Sequence, residues 1–166
     1  LEHFTADTNT DEALAEFLHS GVLHSVKATR ALCFHPYGNF VMQHVMEHGN
    51  LKQKAMVLSA LHSNLDESAL HTHAVAVLNA AFSFASIHDA RELARNLLRF
   101  KHILPRMATA RGKRGGQEVV ERVFQIADDQ LLVSAMLQLQ VLQGSLRNSA
   151  GGRAISDAMA KRSSVC

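Results

Sequence analysis

The sequence predicts an all-α protein organised as an α-solenoid, in which short helical repeats stack into a superhelix. The first observation behind this prediction is that only two prolines and nine glycines occur among 166 residues, which favours helix over sheet. The second is that 47% of the residues are hydrophobic and 19% are charged, enough apolar surface for a packed core. The third is a helical spacing of apolar residues that occurs four times along the chain.

The clearest copy of this spacing lies in residues 37–49, which read YGNFVMQHVMEHG. Four of its apolar residues fall within one helical arc of about 140°. They are Val41, Met42, Val45 and Met46. Gly49 follows as a helix stop, so we expect an amphipathic helix that ends there.

Three weaker copies repeat the spacing. With the clearest copy, they are anchored at Gly38, His73, Gly116 and Gly151, which are 35, 43 and 35 residues apart. Their apolar residues are Ala76, Val77, Ala80 and Ala81, then Val119, Val120, Val123 and Phe124, then Ala154, Ile155, Ala158 and Met159. A shift of one residue in these weaker alignments stays open. Residues 1–3 (LEH) resemble residues 46–48 (MEH), so we expect residues 1–166 to be a partial array, cut at its N-terminal end within a preceding repeat.

Other amphipathic segments lie between the anchored helices. Longer ones are predicted at 11–18, 51–61, 89–99 and 128–139, and shorter ones at 26–32, 65–70, 103–108 and 139–146. Thr10 is the expected N-cap of the first segment. Each period therefore holds a short helix, the anchored helix and a further helix. Units of about 36 residues cannot each enclose a core and must stack on their neighbours.

The segment GNFVMQHVMEHG, preceded by HPY, resembles the signature helix of a Pumilio (PUF) repeat, whose usual form is close to YGNYVxQHVLEHG. The match is nearly complete in residues 37–49, and the period extends the resemblance over most of the chain. Pumilio domains usually hold eight repeats in a crescent. The resemblance implies that single-stranded RNA binds along the concave face, with one base read by the middle helix of each repeat.

The resemblance implies that Asn39 and Gln43 read a base edge, with uracil as the preferred base, and that Phe40 stacks on the base. The residue chemistry agrees with these roles. Asn39 and Gln43 are neighbours at i and i+4 on one helix face, and amides offer both donors and acceptors. Phe40 lies outside the apolar arc, where a ring that stacks on a base contributes about 1–3 kcal/mol.

The weaker copies depart from this reader pattern. Counted from the three anchors, the reader positions are Ala74, Val75 and Leu78, then Gln117, Glu118 and Glu121, then Gly152, Arg153 and Ser156. The first set offers no side-chain hydrogen bonds. The Glu121 carboxylate can accept from guanine, and the Arg153 guanidinium can stack on a base. Further candidate RNA contacts are therefore Gln117, Glu121, Arg153 and Ser156, with phosphate contacts from the basic stretch 111–116.

Enzyme and metal functions find little support in the motifs. Residues 44–48 spell H-x-x-E-H, a zinc-peptidase pattern, but family repeats carry the same stretch without a metal. The chain has no Walker motif and no G-x-S-x-G elbow, and its two cysteines cannot form a dense disulfide framework. We expect no catalysis, no metal and no cofactor.

The resemblance implies post-transcriptional control through mRNA 3′ untranslated regions in the cytoplasm, or a nuclear or nucleolar location if the chain is a ribosome-biogenesis relative. Regulatory proteins are possible partners on the convex face, and no DNA is expected. No membrane partner is expected either, because no apolar run approaches about 18 residues. A net charge of +2 does not by itself indicate nucleic acid. The alternative is a divergent helical scaffold that binds proteins, which the apolar set Ala74, Val75 and Leu78 favours.

Overall fold

The computed structural model describes residues 25–110 and 116–142, together with residues 144, 153, 155–157 and 160. Helices make up this part of the chain, and it contains no strand. In chain order they are α1 (Val26–Phe34), α2 (Gly38–His48), α3 (Leu51–His62), α4 (Leu65–Leu70), α5 (Ala74–Phe84), α6 (Ile87–Leu98), α7 (Ile103–Thr109), α8 (Gly116–Ile126) and α9 (Asp129–Leu139), followed by a 3-10 turn (Gln140–Leu142). The predicted all-α class is confirmed.

The helices form three units of three: α1 to α3, α4 to α6, and α7 to α9. The middle helices α2, α5 and α8 have 11 residues each, and each packs against the next, so they form a continuous layer. A two-residue connection leads from every middle helix to the third helix of its unit. This is the order of elements that the sequence predicts for each period.

Each third helix begins with an N-cap side chain that accepts a first-turn backbone N–H. The caps are Asn50, Ser86 and Asp128, at distances of 3.0, 3.1 and 3.0 Å from the nitrogens that donate to them. Such caps satisfy backbone donors that have no partner inside the helix. The caps are 36 and 42 residues apart, and these intervals give the register of the three units independently of the apolar pattern.

A histidine side chain caps each of the first two middle helices, α2 and α5. The Nδ1 atom of His35 accepts the N–H groups of Tyr37 and Gly38, at 3.2 and 3.1 Å. His71 makes the same pair of contacts one unit later, where the second donor is the N–H of Ala74, at 3.4 Å. Ala74, rather than His73, is therefore the equivalent of Gly38.

The buried positions of the middle helices give the same alignment of Ala74 with Gly38. The first, fifth, eighth and ninth positions of every middle helix are buried. These positions are Gly38, Met42, Val45 and Met46 in α2, Ala74, Leu78, Ala81 and Phe82 in α5, and Gly116, Val120, Val123 and Phe124 in α8. The alignment from His73 was displaced by one residue because α5 is apolar around most of its circumference, so two registers give an apolar stripe.

Most other predicted segments coincide with helices to within two residues, but several predictions lie outside the described residues. These are the helix at 11–18 with its cap Thr10, the repeat tail at 1–3, residues 111–115 of the basic stretch 111–116, residues 143, 145 and 146 of the segment 139–146, and Gly151, Gly152, Ala154, Ala158 and Met159 of the fourth copy. Ile155 is buried four residues after Gly151, as Met42 is buried four residues after Gly38. None of the helices described is both long enough and apolar enough to cross a membrane.

Candidate nucleic-acid interface

The candidate interface is the reader face, which we define as the side of the middle helices that carries Asn39, Phe40 and Gln43 and the residues equivalent to them. On α2 the structure brings two of these residues together. The Nε2 atom of Gln43 donates a hydrogen bond to Oδ1 of Asn39, at 2.9 Å. The two amides therefore act as a connected pair, as their i, i+4 spacing suggests.

The two amides are unequal in what they offer a ligand. Asn39 is 3% exposed, and its Nδ2 donates to the carbonyl oxygens of His35 and Pro36, at 2.9 and 2.7 Å. Both N–H groups of the Asn39 amide are thus used within the protein. Gln43 is half-buried, and no described residue bonds its Oε1. Gln43 therefore presents a carbonyl oxygen and one N–H to a ligand, while Asn39 positions it.

Phe40 supplies an open aromatic surface beside this pair. Its side chain is 52% exposed, on the other side of α2 from the buried Met42 and Val45. Tyr37, the residue that precedes the helix, is 79% exposed and is not among the predicted site residues. The sequence feature that could have indicated Tyr37 is its position in the HPYG stretch, three residues before Phe40.

The second unit presents a different set of side chains from the one predicted. Ala74 and Leu78 are fully buried in the core, so neither can face a ligand. The positions equivalent to Asn39, Phe40 and Gln43 are Val75, which is 4% exposed, then Ala76 and Asn79. Asn79 was missed because of the one-residue displacement described above.

Asn79 connects the second unit to the third. Its Nδ2 donates to Oε2 of Glu118, at 2.8 Å. Glu118 is the third residue of α8, as Phe40 is the third residue of α2. At this junction a carboxylate and an amide occupy positions equivalent to the stacking and reading residues, and they bond to each other.

In the third unit, Gln117 is half-buried and its Nε2 donates to the carbonyl of Ala108, at 3.2 Å. This contact ties α8 to the preceding helix, as Asn39 ties α2 to the turn before it. Glu121 is also half-buried, and its pKa is raised by burial and by the negative charge of Glu118, while Arg122 opposes the shift. The reader face is therefore acidic at this unit.

The two candidate RNA contacts of the fourth copy lie on the surface of a helical stretch. Arg153 is exposed and Ser156 is half-buried. Both side chains are therefore accessible to a ligand. The alignment that makes them reader positions depends on Gly151.

The structure also locates the residues that bear on catalysis. The rings of His44 and His48 lie 4.5 Å apart. Within the described residues, the three possible metal ligands whose donor atoms lie close together are a different set, namely His88, Asp89 and Glu92 on α6. The thiol of Cys33 is buried, and burial raises its pKa to about 12. A thiol in this state is protonated and is not a nucleophile.

Comparison with known proteins identifies the repeat. The fold and the reader face define a stack of helical repeats whose middle helices carry the candidate site. Residues 30–62 match the family model of the Pumilio-family RNA binding repeat. The first unit therefore matches the Pumilio-family repeat, in agreement with its motif.

The solved structures extend the likeness in fold to most of the chain. The crystal structure of PUF-8 in complex with PBE-RNA matches with a TM-score of 0.63 and 19% sequence identity. The match covers 96% of this chain and 44% of that one, so this chain spans less than half the length of that relative. The predicted α-solenoid of Pumilio-like repeats is confirmed as the fold. No curated protein matches the sequence.

Proposed function

We propose that this chain binds single-stranded RNA on the reader face and reads one base with Gln43. The observation that carries the proposal is the 2.9 Å hydrogen bond by which Asn39 holds the Gln43 amide beside the exposed ring of Phe40. An oriented amide next to an open aromatic surface offers hydrogen bonds to a base edge and a plane for its face. The Pumilio-family repeat at residues 30–62 and the likeness to PUF-8 support this function.

The base we propose is uracil. The N3–H of uracil can donate to Oε1 of Gln43, and the free N–H of the same amide can donate to a uracil carbonyl oxygen. Cytosine also places a donor, its N4 amino group, beside an acceptor, N3, which an amide can match, so the choice between the two pyrimidines is decided by the binding test with labelled RNAs. The preference for uracil is the one that the Pumilio-family repeat implies for a pair of Asn and Gln at these positions.

The binding free energy that one base can contribute limits how tightly this chain binds RNA by itself. One stacked and hydrogen-bonded base contributes a few kcal/mol, whereas a nanomolar complex needs about 12 kcal/mol. We therefore expect micromolar or weaker affinity and assign tight binding to an array with further repeats. Recognition of mRNA 3′ untranslated regions in the cytoplasm is the role we propose for such an array.

The test is fluorescence anisotropy with labelled RNAs that differ at one base. Gln43→Glu replaces the amide with an acceptor-only carboxylate, which suits the N1–H and amino donors of guanine, so the preference should move from uracil to guanine. Gln130→Glu makes the same chemical change on the exposed surface of α9 and should leave the preference unchanged. Unchanged base preference in Gln43→Glu would exclude Gln43 as the reader.

A second candidate function, a scaffold that binds proteins, is favoured by a separate feature. A cleft of about 720 Å³ lies between α3 and α6, with Leu58, Leu65 and Phe100 among its lining residues. Leu51, at its edge, is 88% exposed. A chain that binds none of the RNAs in the anisotropy test, yet is correctly folded, would favour this scaffold function.

A further inference from the structure

The most exposed of the described tyrosine and phenylalanine residues is not among the expected readers. Tyr37 is 79% exposed and immediately precedes α2, whose third residue is the half-exposed Phe40. The backbone of Tyr37 is already helical, with φ −104° and ψ −35°. Residues three apart on a helix are surface neighbours, with Cβ atoms about 5–6 Å apart. The two exposed side chains are therefore attached at neighbouring surface positions, one helical turn from each other.

The segment that carries Tyr37 is held in place by specific contacts. Its backbone N–H and that of Gly38 both donate to Nδ1 of His35, at 3.2 and 3.1 Å. A Cβ at Gly38 would lie 2.8 Å from the carbonyl oxygen of Leu32, so the turn packs directly onto the end of α1. The side-chain position of Tyr37 thus starts from an ordered backbone, which reduces the entropy lost when a ligand binds.

The second unit has a different group at the equivalent position. His73 stands where Tyr37 stands in the first unit, and its ring lies 5.6 Å from that of His71. His73 is only partly exposed, and the following third position is Ala76. Of the first two units, the first therefore carries two exposed aromatic side chains three residues apart, and it is also the unit that carries Gln43.

We propose that Tyr37 is a second stacking site for RNA, which receives an unpaired base next to the one read by Gln43. This inference rests on the proposed function, because the same strand supplies both bases. The face of any base can stack on a ring, so this site adds affinity without specifying sequence. The His35 ring lies 6.0 Å from the Tyr37 ring and is inclined to it by 48°, so it borders the site without extending its plane.

The composition of the chain provides a direct test. Tyr37 is its single tyrosine, and the chain has no tryptophan, so intrinsic fluorescence reports on this ring alone. Titration with a short uridine oligomer, corrected for RNA absorption against N-acetyltyrosinamide, should quench the emission. The quenching should saturate over the same RNA concentrations as the anisotropy of a labelled oligomer.

A pair of variants tests the energetic contribution. Tyr37→Leu removes the ring and should weaken RNA binding about fivefold or more, the lower end of the effect of losing a stacking residue. Tyr37→Phe keeps the ring and should bind like the original chain. Because the side chain is exposed, circular dichroism should show the same helix content for all three proteins.

The outcomes separate this inference from the proposed function. Saturable anisotropy with unchanged tyrosine emission, or Tyr37→Leu binding as tightly as the original chain, would overturn the stacking site and leave RNA binding by Gln43 intact. Failure of the original chain to bind any oligomer in the anisotropy assay would overturn both.

Discussion

Replacement of Asn39 by alanine should destabilise the fold, although the motif presents Asn39 as a residue that contacts RNA. In the structure its side chain makes three hydrogen bonds, two to the carbonyl oxygens of His35 and Pro36 and one from Gln43. Alanine removes all three. The carbonyl of His35 keeps the backbone N–H of residue 39 as a partner, so part of the network survives.

The expected loss follows from these contacts. A typical hydrogen bond contributes about 0.5–1.5 kcal/mol net, and exposed Pro36 can pair its carbonyl with water, so we expect a loss of about 2 kcal/mol. For a protein of this size each kcal/mol lowers Tm by about 2–4 °C, which gives a decrease of about 4–8 °C. Asn39→Asp should lower the stability further than Asn39→Ala at neutral pH, because a carboxylate would face two carbonyl oxygens at short distance.

Thermal denaturation followed by circular dichroism measures both variants. The deficit of Asn39→Asp relative to Asn39→Ala should shrink as the pH falls, since a protonated carboxyl regains one donor. Gln43→Ala is the matched control, because it loses only the bond between the two amides and should cost less. A Tm of Asn39→Ala within 1 °C of the original chain, on the order of the effect of a neutral surface substitution, would refute the positioning role assigned to this residue.

Two further predictions concern the third unit. Glu118→Gln combined with Glu121→Gln should strengthen RNA binding about two- to tenfold at low salt, because two negative charges near the phosphate path are removed; an anisotropy titration that shows no gain would mean that RNA does not pass α8. The Asp128 carboxylate accepts a first-turn backbone N–H and pairs with an arginine, and these contacts hold its pKa below the usual value. The stability it adds should be present at neutral pH and be lost as the pH falls through that lowered pKa, so Asp128→Asn should lower Tm at neutral pH and should lower it less in acid.

Much of the fold could be predicted because the first unit has strong local signals. The stripe of Met42, Val45 and Met46 is narrow, and Gly49 ends it, so only one helical register buries the apolar residues. In α5 the apolar residues cover nearly the whole surface, and the pattern alone cannot choose between neighbouring registers. The cap contacts of His71 decide the register there, and these depend on backbone geometry that a linear pattern does not contain.

The residue types of the candidate site could be predicted, but the direction and hydrogen-bond partners of each side chain could not. The motif selects Asn39 and Gln43, but the spacing does not show that Asn39 is turned inward to two carbonyl oxygens. The bond between Asn79 and Glu118 joins residues 39 positions apart, so only the packing of α5 against α8 could show it.

The three middle helices together indicate how the second and sixth positions differ in what a substitution would change. At the second position, Asn39 donates both of its amide hydrogens and Gln117 donates one to carbonyl oxygens that precede the helix, and the apolar Val75 is buried. At the sixth position, the units carry Gln43, Asn79 and Glu121, none fully buried. Substitution of Asn39 should therefore alter folding and binding together, whereas the sixth position can change chemistry at little cost to stability. Base specificity in such an array should accordingly vary through the sixth position, which is why the decisive binding test changes Gln43 and leaves Asn39 in place.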